Sequence, residues 1–216
     1  MAKPKILKPE QSYTFRSYFE MPYEAEDILA EFGFKLERAR LSLPKATKPF
    51  ERLPELRQRL EKILPLISLS SETARRETLV APVLMEVATY CNCQLRIEYP
   101  LMVNNWLKGN LDYLLRSTRN LLVIEANNDD LTRGFTQLAV ELIALSNLEE
   151  QEILYGAVTI GNVWQFGFLD VNQHQIRQDI AVYSTPDVLA ELVAILVGII
   201  QGNGRRSFPF GILLLV

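Results

Sequence analysis

Asp112 and Glu125 are the residues whose type and spacing could carry chemistry. Asp112 lies in Gly109-Asn-Leu-Asp-Tyr, and Glu125 ends the apolar run Leu121-Leu122-Val123-Ile124. The chain then turns polar at Asn127-Asn128-Asp129-Asp130. An unpaired charge at the end of a buried strand is very costly. Glu125 must therefore be paired, be wetted by a cleft, or hold a metal. If both segments are strands joined by the polar turn at 116–119, the two carboxylates converge from adjoining strands. Hard oxygen ligands so placed suit Mg²⁺ or Mn²⁺. Such a cation could polarise a phosphate and lower the pKa of an attacking water. Glu72 on the preceding helix and Gln137 on the following one are the supporting candidates. The competing reading is structural: Asp112 caps a turn, and Glu125 pairs with Arg116, Arg119 or Arg133.

The elements that must position these residues follow from periodicity. Ser71 is a good N-cap with Glu72 in the first turn, and Leu79, Val80, Val83, Leu84, Val87 and Ala88 continue as an apolar stripe. Pro82 should kink or restart that helix. Residues 94–99, 111–115 and 120–125 read as three strands. Asp129-Asp130 caps an amphipathic helix over 131–145. Segments 153–160, 163–170 and 175–183 read as further strands, 188–200 as a buried helix and 211–216 as a closing strand. Before residue 65 the pattern predicts helices over 23–40 and 55–64, separated by a proline-punctuated stretch. The expectation is an α/β (α+β) chain with a mixed sheet. A helical N-terminal extension, residues 1–65, precedes a domain over 66–216.

Composition excludes several classes. The chain has 216 residues, 48% of them hydrophobic, and a net charge of −3, which suits one sizeable core. No run reaches the roughly 20 apolar residues of a membrane span. The basic N-terminus lacks a signal peptide's apolar core. Cys91 and Cys93 are the only cysteines, too few for a zinc site and awkwardly close for a disulfide; a reduced, cytoplasmic protein is the expectation. With His174 the only histidine, and read as a hairpin-loop residue, a histidine-dependent nuclease is disfavoured. No P-loop, dinucleotide fingerprint or Gly-x-Ser-x-Gly elbow is present. Residues 35–62 hold nine Lys/Arg against four Asp/Glu. That stretch is either a phosphate-facing surface or a solvated helix face.

At these residues the chain resembles the PD-(D/E)xK, restriction-endonuclease-like superfamily, and within it the nuclease domains of type I restriction subunits. The resemblance covers about residues 70–185. Ser71-Glu72 with Arg76, Pro82 and Leu84 resembles the opening helix, and Glu98-Tyr99-Pro100 the end of the first core strand. Gly109-x-x-Asp112-Tyr113 is similar to the metal-binding aspartate motif. Val123-Ile124-Glu125-Ala126 resembles the second acid, and Gln137 a glutamine on the next helix. It implies an αβββαβ core and Mg²⁺- or Mn²⁺-dependent hydrolysis of nucleic acid, DNA above all. Asp112, Glu125 and the backbone carbonyl of Ala126 would be the metal ligands, and a homodimer is compatible where both strands must be cut. Asn127 stands where the pattern has lysine. The missing cation is either lost or supplied from elsewhere, with Lys108 first among replacements and Arg133 and Arg76 behind it. The alternative is a catalytically silent member of this fold that binds nucleic acid or a protein partner.

Overall fold

The computed structural model describes residues 5–118, 120–126 and 130–202. Asn127 and the closing strand expected over 211–216 lie outside the described residues. The chain is a mixed α/β protein built on one eight-stranded sheet. In chain order the elements are α1 (Phe15–Glu20), α2 (Ala25–Ala30), β1 (Lys35–Ala39), α3 (Leu53–Ile63) and α4 (Glu72–Arg75). A π-helical turn (Arg76–Val80) leads into α5 (Ala81–Cys91), then β2 (Gln94–Met102), β3 (Lys108–Arg116), β4 (Leu121–Ala126) and α6 (Leu131–Ser146). β5 (Ile153–Thr159), β6 (Val163–Asp170), β7 (Gln175–Asp179), β8 (Tyr183–Ser184) and α7 (Leu189–Gln201) follow.

The sheet runs β1-β7-β6-β5-β4-β3-β2, with β8 beside β6. β4 and β5 are parallel, as are β1 and β7; the remaining pairs are antiparallel. A parallel pair needs a long crossover, and α6 provides it between β4 and β5. Helices cover both faces. Leu122, Ile124 and Ala126 of β4 join a core with α3, α5 and α7, whereas Leu121 and Val123 join one with α1, α2 and α6. Side chains alternate along a strand, so Glu125 is turned toward α6. Two-sided burial explains why β4 reads as a continuous apolar run rather than an alternating one.

The helix expected over 23–40 is corrected. Residues 28, 29, 32 and 36 do fit a helical period, but α2 stops at Ala30 and Gly33 takes φ +80, a left-handed conformation that ends helices. Beyond it Lys35–Ala39 is a strand, with Lys35 opposite Gln175 and Ala39 opposite Asp179. The helical extension expected over 1–65 is therefore corrected in part: it holds α1, α2 and α3 but also supplies an edge strand of the sheet. The strand expected over 175–183 is also two strands, because Asp179 draws the chain inward and β8 resumes pairing on β6.

No helix among the described residues is long and apolar enough to cross a membrane. His174 sits in the β6–β7 loop at φ 49, its ring 5.3 Å from that of Phe34. Cys91 and Cys93 are free thiols, and burial pushes that of Cys91 up to about 12.

Candidate functional site

Three acids line up across three strands. The rungs Ile97–Tyr113 and Tyr99–Leu111 place Glu98 of β2 across from Asp112 of β3. Continuing the β3–β4 register past Tyr113–Ile124 places Asp112 across from Glu125. Like charges directly opposite one another destabilise a sheet, and here the ladder deforms. Glu98 takes φ 51. The backbone N–H of Ala126 donates to the Asp112 carboxylate at 2.8 Å rather than to a strand carbonyl. The opened sheet end forms a cleft of ≈ 400 Å³. Glu72, Arg76, Glu98, Asp112, Glu125 and Gln137 line it, with Arg16 of α1 at its mouth.

Local sequence explains how the walls are held. The Ser71 hydroxyl accepts from the Ala74 N–H at 3.1 Å, which starts α4 and places Glu72 in its first turn. Pro82 cannot donate to the preceding turn, and the helix widens just before it: the Ala81 N–H bonds to the Arg76 carbonyl, five residues back. Widened turns of this kind are frequent at functional sites. Gly109 adopts φ +148, and a Cβ there would meet the Phe15 ring at 2.8 Å. The glycine of the Gly-x-x-Asp motif is thus required by α1, which closes one side of the cleft.

Arg76 is the central cation. Its guanidinium lies 2.6 Å from Glu98, 3.2 Å from Asp112 and 4.0 Å from Glu72, over the Tyr113 ring at 5.2 Å. Burial works against its charge, but the surrounding acids outweigh that and hold it protonated. Asp112 is pushed up to about 6 by burial, with Glu98 and Glu72 adding to the shift while Arg76 and the Ala126 N–H oppose it.

The floor of the cleft is more acidic still. Asp130 caps α6, accepting from the N–H groups of Thr132 and Arg133. One face of that helix then carries Gln137 and Glu141. Glu125 is 3% exposed, Gln137 5% and Glu141 0%. The Gln137 amide donates to Glu141 at 3.0 Å. Glu125 Oε2, Gln137 Oε1 and Glu141 Oε2 are buried with no hydrogen-bond partner. Burial first, then the neighbouring Glu141 and Asp112, holds Glu125 well above the carboxylate range, and burial lifts Glu141 to about 8. Glu125 and Glu141 are close neighbours in this buried pocket, and their proximity works against ionising both.

Of the sequence candidates, Glu72, Asp112, Glu125 and Gln137 come together in this cleft. Lys108 does not line it: that residue pairs with Met102, and Gly109 at φ +148 breaks the regular strand on which the expected phase depended. Asn127 lies outside the described residues. The arginine partners proposed for Glu125 are engaged elsewhere, Arg116 with Glu149 and Arg133 with Asp130, while Arg119 lies outside the described residues. Sequence reasoning missed Glu141. Its signal was available: the one charge between Gly134 and Ser146, four residues after Gln137 and so on the same helical face.

Hard oxygen donors with unmet bonding capacity fit a divalent cation of the Mg²⁺ class. Among the described residues, no three Asp, Glu, His or Cys side chains are arranged to hold a metal as they stand. Asp112 is taken up by Arg76 and the Ala126 N–H, and Glu125 faces the neighbouring acid Glu141. The site fits a cation in donor type and demands local exchange of partners to receive it. Compared with known proteins, the chain matches no family model, no curated protein and no solved structure.

Proposed function

We propose that the protein is a divalent-cation-dependent phosphodiesterase acting on nucleic acid, with DNA as the leading substrate, on a restriction-endonuclease-like core. One observation carries this reading: Asp112 and Glu125 converge from adjoining strands into a cleft whose buried carboxylate and amide oxygens lack partners. The element order α5, β2, β3, β4, α6, β5 supports it. So does the charge of the cleft. Four lining carboxyls face Arg16 and Arg76, so a phosphate is repelled unless a further cation offsets them.

Asp112, Glu125 and the Ala126 carbonyl would hold the cation, which supplies a Lewis acid for a phosphoryl oxygen and a water of lowered pKa. Arg76 would supply the charge that Asn127 lacks. Exchanging its contact with Glu98, which is half exposed, for a phosphate oxygen would place a charge-assisted hydrogen bond on the scissile group. Gln137 is oriented by Glu141 so that its free carbonyl oxygen can accept from a water in the cleft.

The second reading, a silent nucleic-acid or protein-binding member of the fold, is favoured by the full commitment of Arg76 to acids of its own chain. The test is incubation of the full chain with duplex DNA, single-stranded DNA and RNA, with Mg²⁺, Mn²⁺ or EDTA. Cleavage with metal that is lost on Asp112→Asn supports the enzyme. Mn²⁺ binding without cleavage of any substrate supports the silent member.

A further inference from the structure

We propose that Glu141 is a cation-site residue: with Glu125 and Gln137 it forms the buried side of the divalent-cation site that Asp112 closes from β3. This rests on the cation-dependent reading above and extends its ligand set onto α6.

Geometry carries the argument. Glu141 is 0% exposed in the middle of an otherwise apolar helix, where a carboxyl group is costly unless something compensates it. Among the described residues no arginine or lysine does so; its hydrogen-bond partner is the Gln137 amide, and the Glu125 carboxyl lies beside it. Packing could satisfy such a group with backbone donors, yet one oxygen on each of Glu125, Gln137 and Glu141 remains bare. Gln137 is independent of the acid cluster as an indicator: an amide oxygen, 5% exposed, lining the same cavity as Glu125 with no donor to meet it. Glu125 and Gln137 line the cleft and Glu141 stands directly behind the Gln137 amide; hard oxygens of this kind are what a small divalent cation binds while keeping several waters. Arg76 does not fill that role, because its contacts are with Glu72, Glu98 and Asp112.

A residue kept for a cation differs from one kept for packing in the sign of its effects. Titration calorimetry of the full chain with Mn²⁺ should show affinity falling at least about tenfold in Glu141→Gln, while the metal-free melting temperature at pH 8 is unchanged or higher. Unchanged Mn²⁺ affinity in Glu141→Gln, with affinity lost in Asp112→Asn, overturns the role of Glu141 and leaves the cation reading standing. Parallel losses of affinity and metal-free stability also overturn it, since they mark a structural acid. No Mn²⁺ binding by the wild type at millimolar concentration overturns both. If Glu141→Gln does not fold, Gln137→Met decides: reduced affinity supports the site, and unchanged affinity removes it.

Discussion

Two acids stand at strand ends of the same sheet, both buried, and their surroundings are opposite. Asp179 closes β7 at 0% exposure. Its carboxylate accepts from the N–H groups of Leu41 at 3.2 Å and Ala181 at 3.0 Å, and from the Tyr183 hydroxyl at 3.3 Å. Glu125 closes β4, but faces Glu141 and Asp112 and keeps a bare oxygen. Asp179 is an acid that the fold has met with its own donors, holding β1, β7 and β8 in place. Glu125 is an acid whose second oxygen the fold leaves unsatisfied. Burial alone does not separate a structural acid from a functional one; the identity of the donors does.

The comparison breaks most sharply at Arg76. If the cleft is catalytic, Arg76→Ala should lower metal-dependent cleavage about 10²–10³-fold, the usual cost of one preorganised charge stabiliser. Cleavage rates on the same DNA substrate check this, with Lys108→Ala as the control expected to leave them unchanged. Retained activity in Arg76→Ala would return the missing cation to another residue.

Asp179 should fail differently. Asp179→Ala leaves two half-buried N–H groups without this acceptor, so a loss of about 1–3 kcal/mol is expected in urea unfolding, equal with and without Mn²⁺. Glu125→Gln should instead retain or gain metal-free stability at pH 8 while losing any stabilisation by Mn²⁺. A large metal-free loss in Glu125→Gln would erase the distinction between the two acids.

The pH dependence sharpens the same contrast. Asp112 is raised from 3.8 to about 6 and Glu141 from 4.5 to about 8. Between those values the folded chain keeps protons that the unfolded chain has released, so the slope of stability with pH is negative. Metal-free melting temperature should therefore fall as pH rises from about 4 to about 8, and Glu141→Gln should flatten the upper half of that fall. Saturating Mn²⁺ should oppose it, because cation binding displaces the same protons. A metal-free profile that rises over this window would remove the strained-cluster account.

The smallest effect belongs to the basic stretch over 35–62. Arg38, Lys45, Arg52 and Arg57 are ion-paired with Glu26, Glu191, Glu86 and Glu61, which reduces the free charge that the composition suggested. Neutralising Lys48, Arg59 and Lys62 should flatten the salt dependence of DNA binding by up to about three units if that face meets phosphates. An unchanged slope assigns binding to the cleft and leaves this face solvated.

Much of the site was legible because it depends on local rules. Ser71 and Asp130 cap their helices as their types demand, and the short turn after Arg116 forces β3 and β4 into an antiparallel pair that brings Asp112 beside Glu125. Pro82 signalled a disturbed helix, although the widened turn falls just before it. Glu141 was illegible for a different reason. Its place in an apolar stripe is plain in the sequence, but what it touches is set by the packing of α6 on β4.

By itself the sequence determined the alternation of helices and strands over residues 71–170, the apolar character of β4, and the pairing of two acids on adjoining strands. These follow from side-chain period, capping and turn length, all of which act within a few residues. Only the tertiary structure decided that Lys35–Ala39 is a strand, since a short polar segment takes that form when the free edge of β7 supplies its hydrogen bonds. It also decided that Arg76, and not Lys108, meets the acids, and that Glu141 stands behind Glu125. Those outcomes turn on register and packing between segments far apart in the chain, where no local preference chooses the partner.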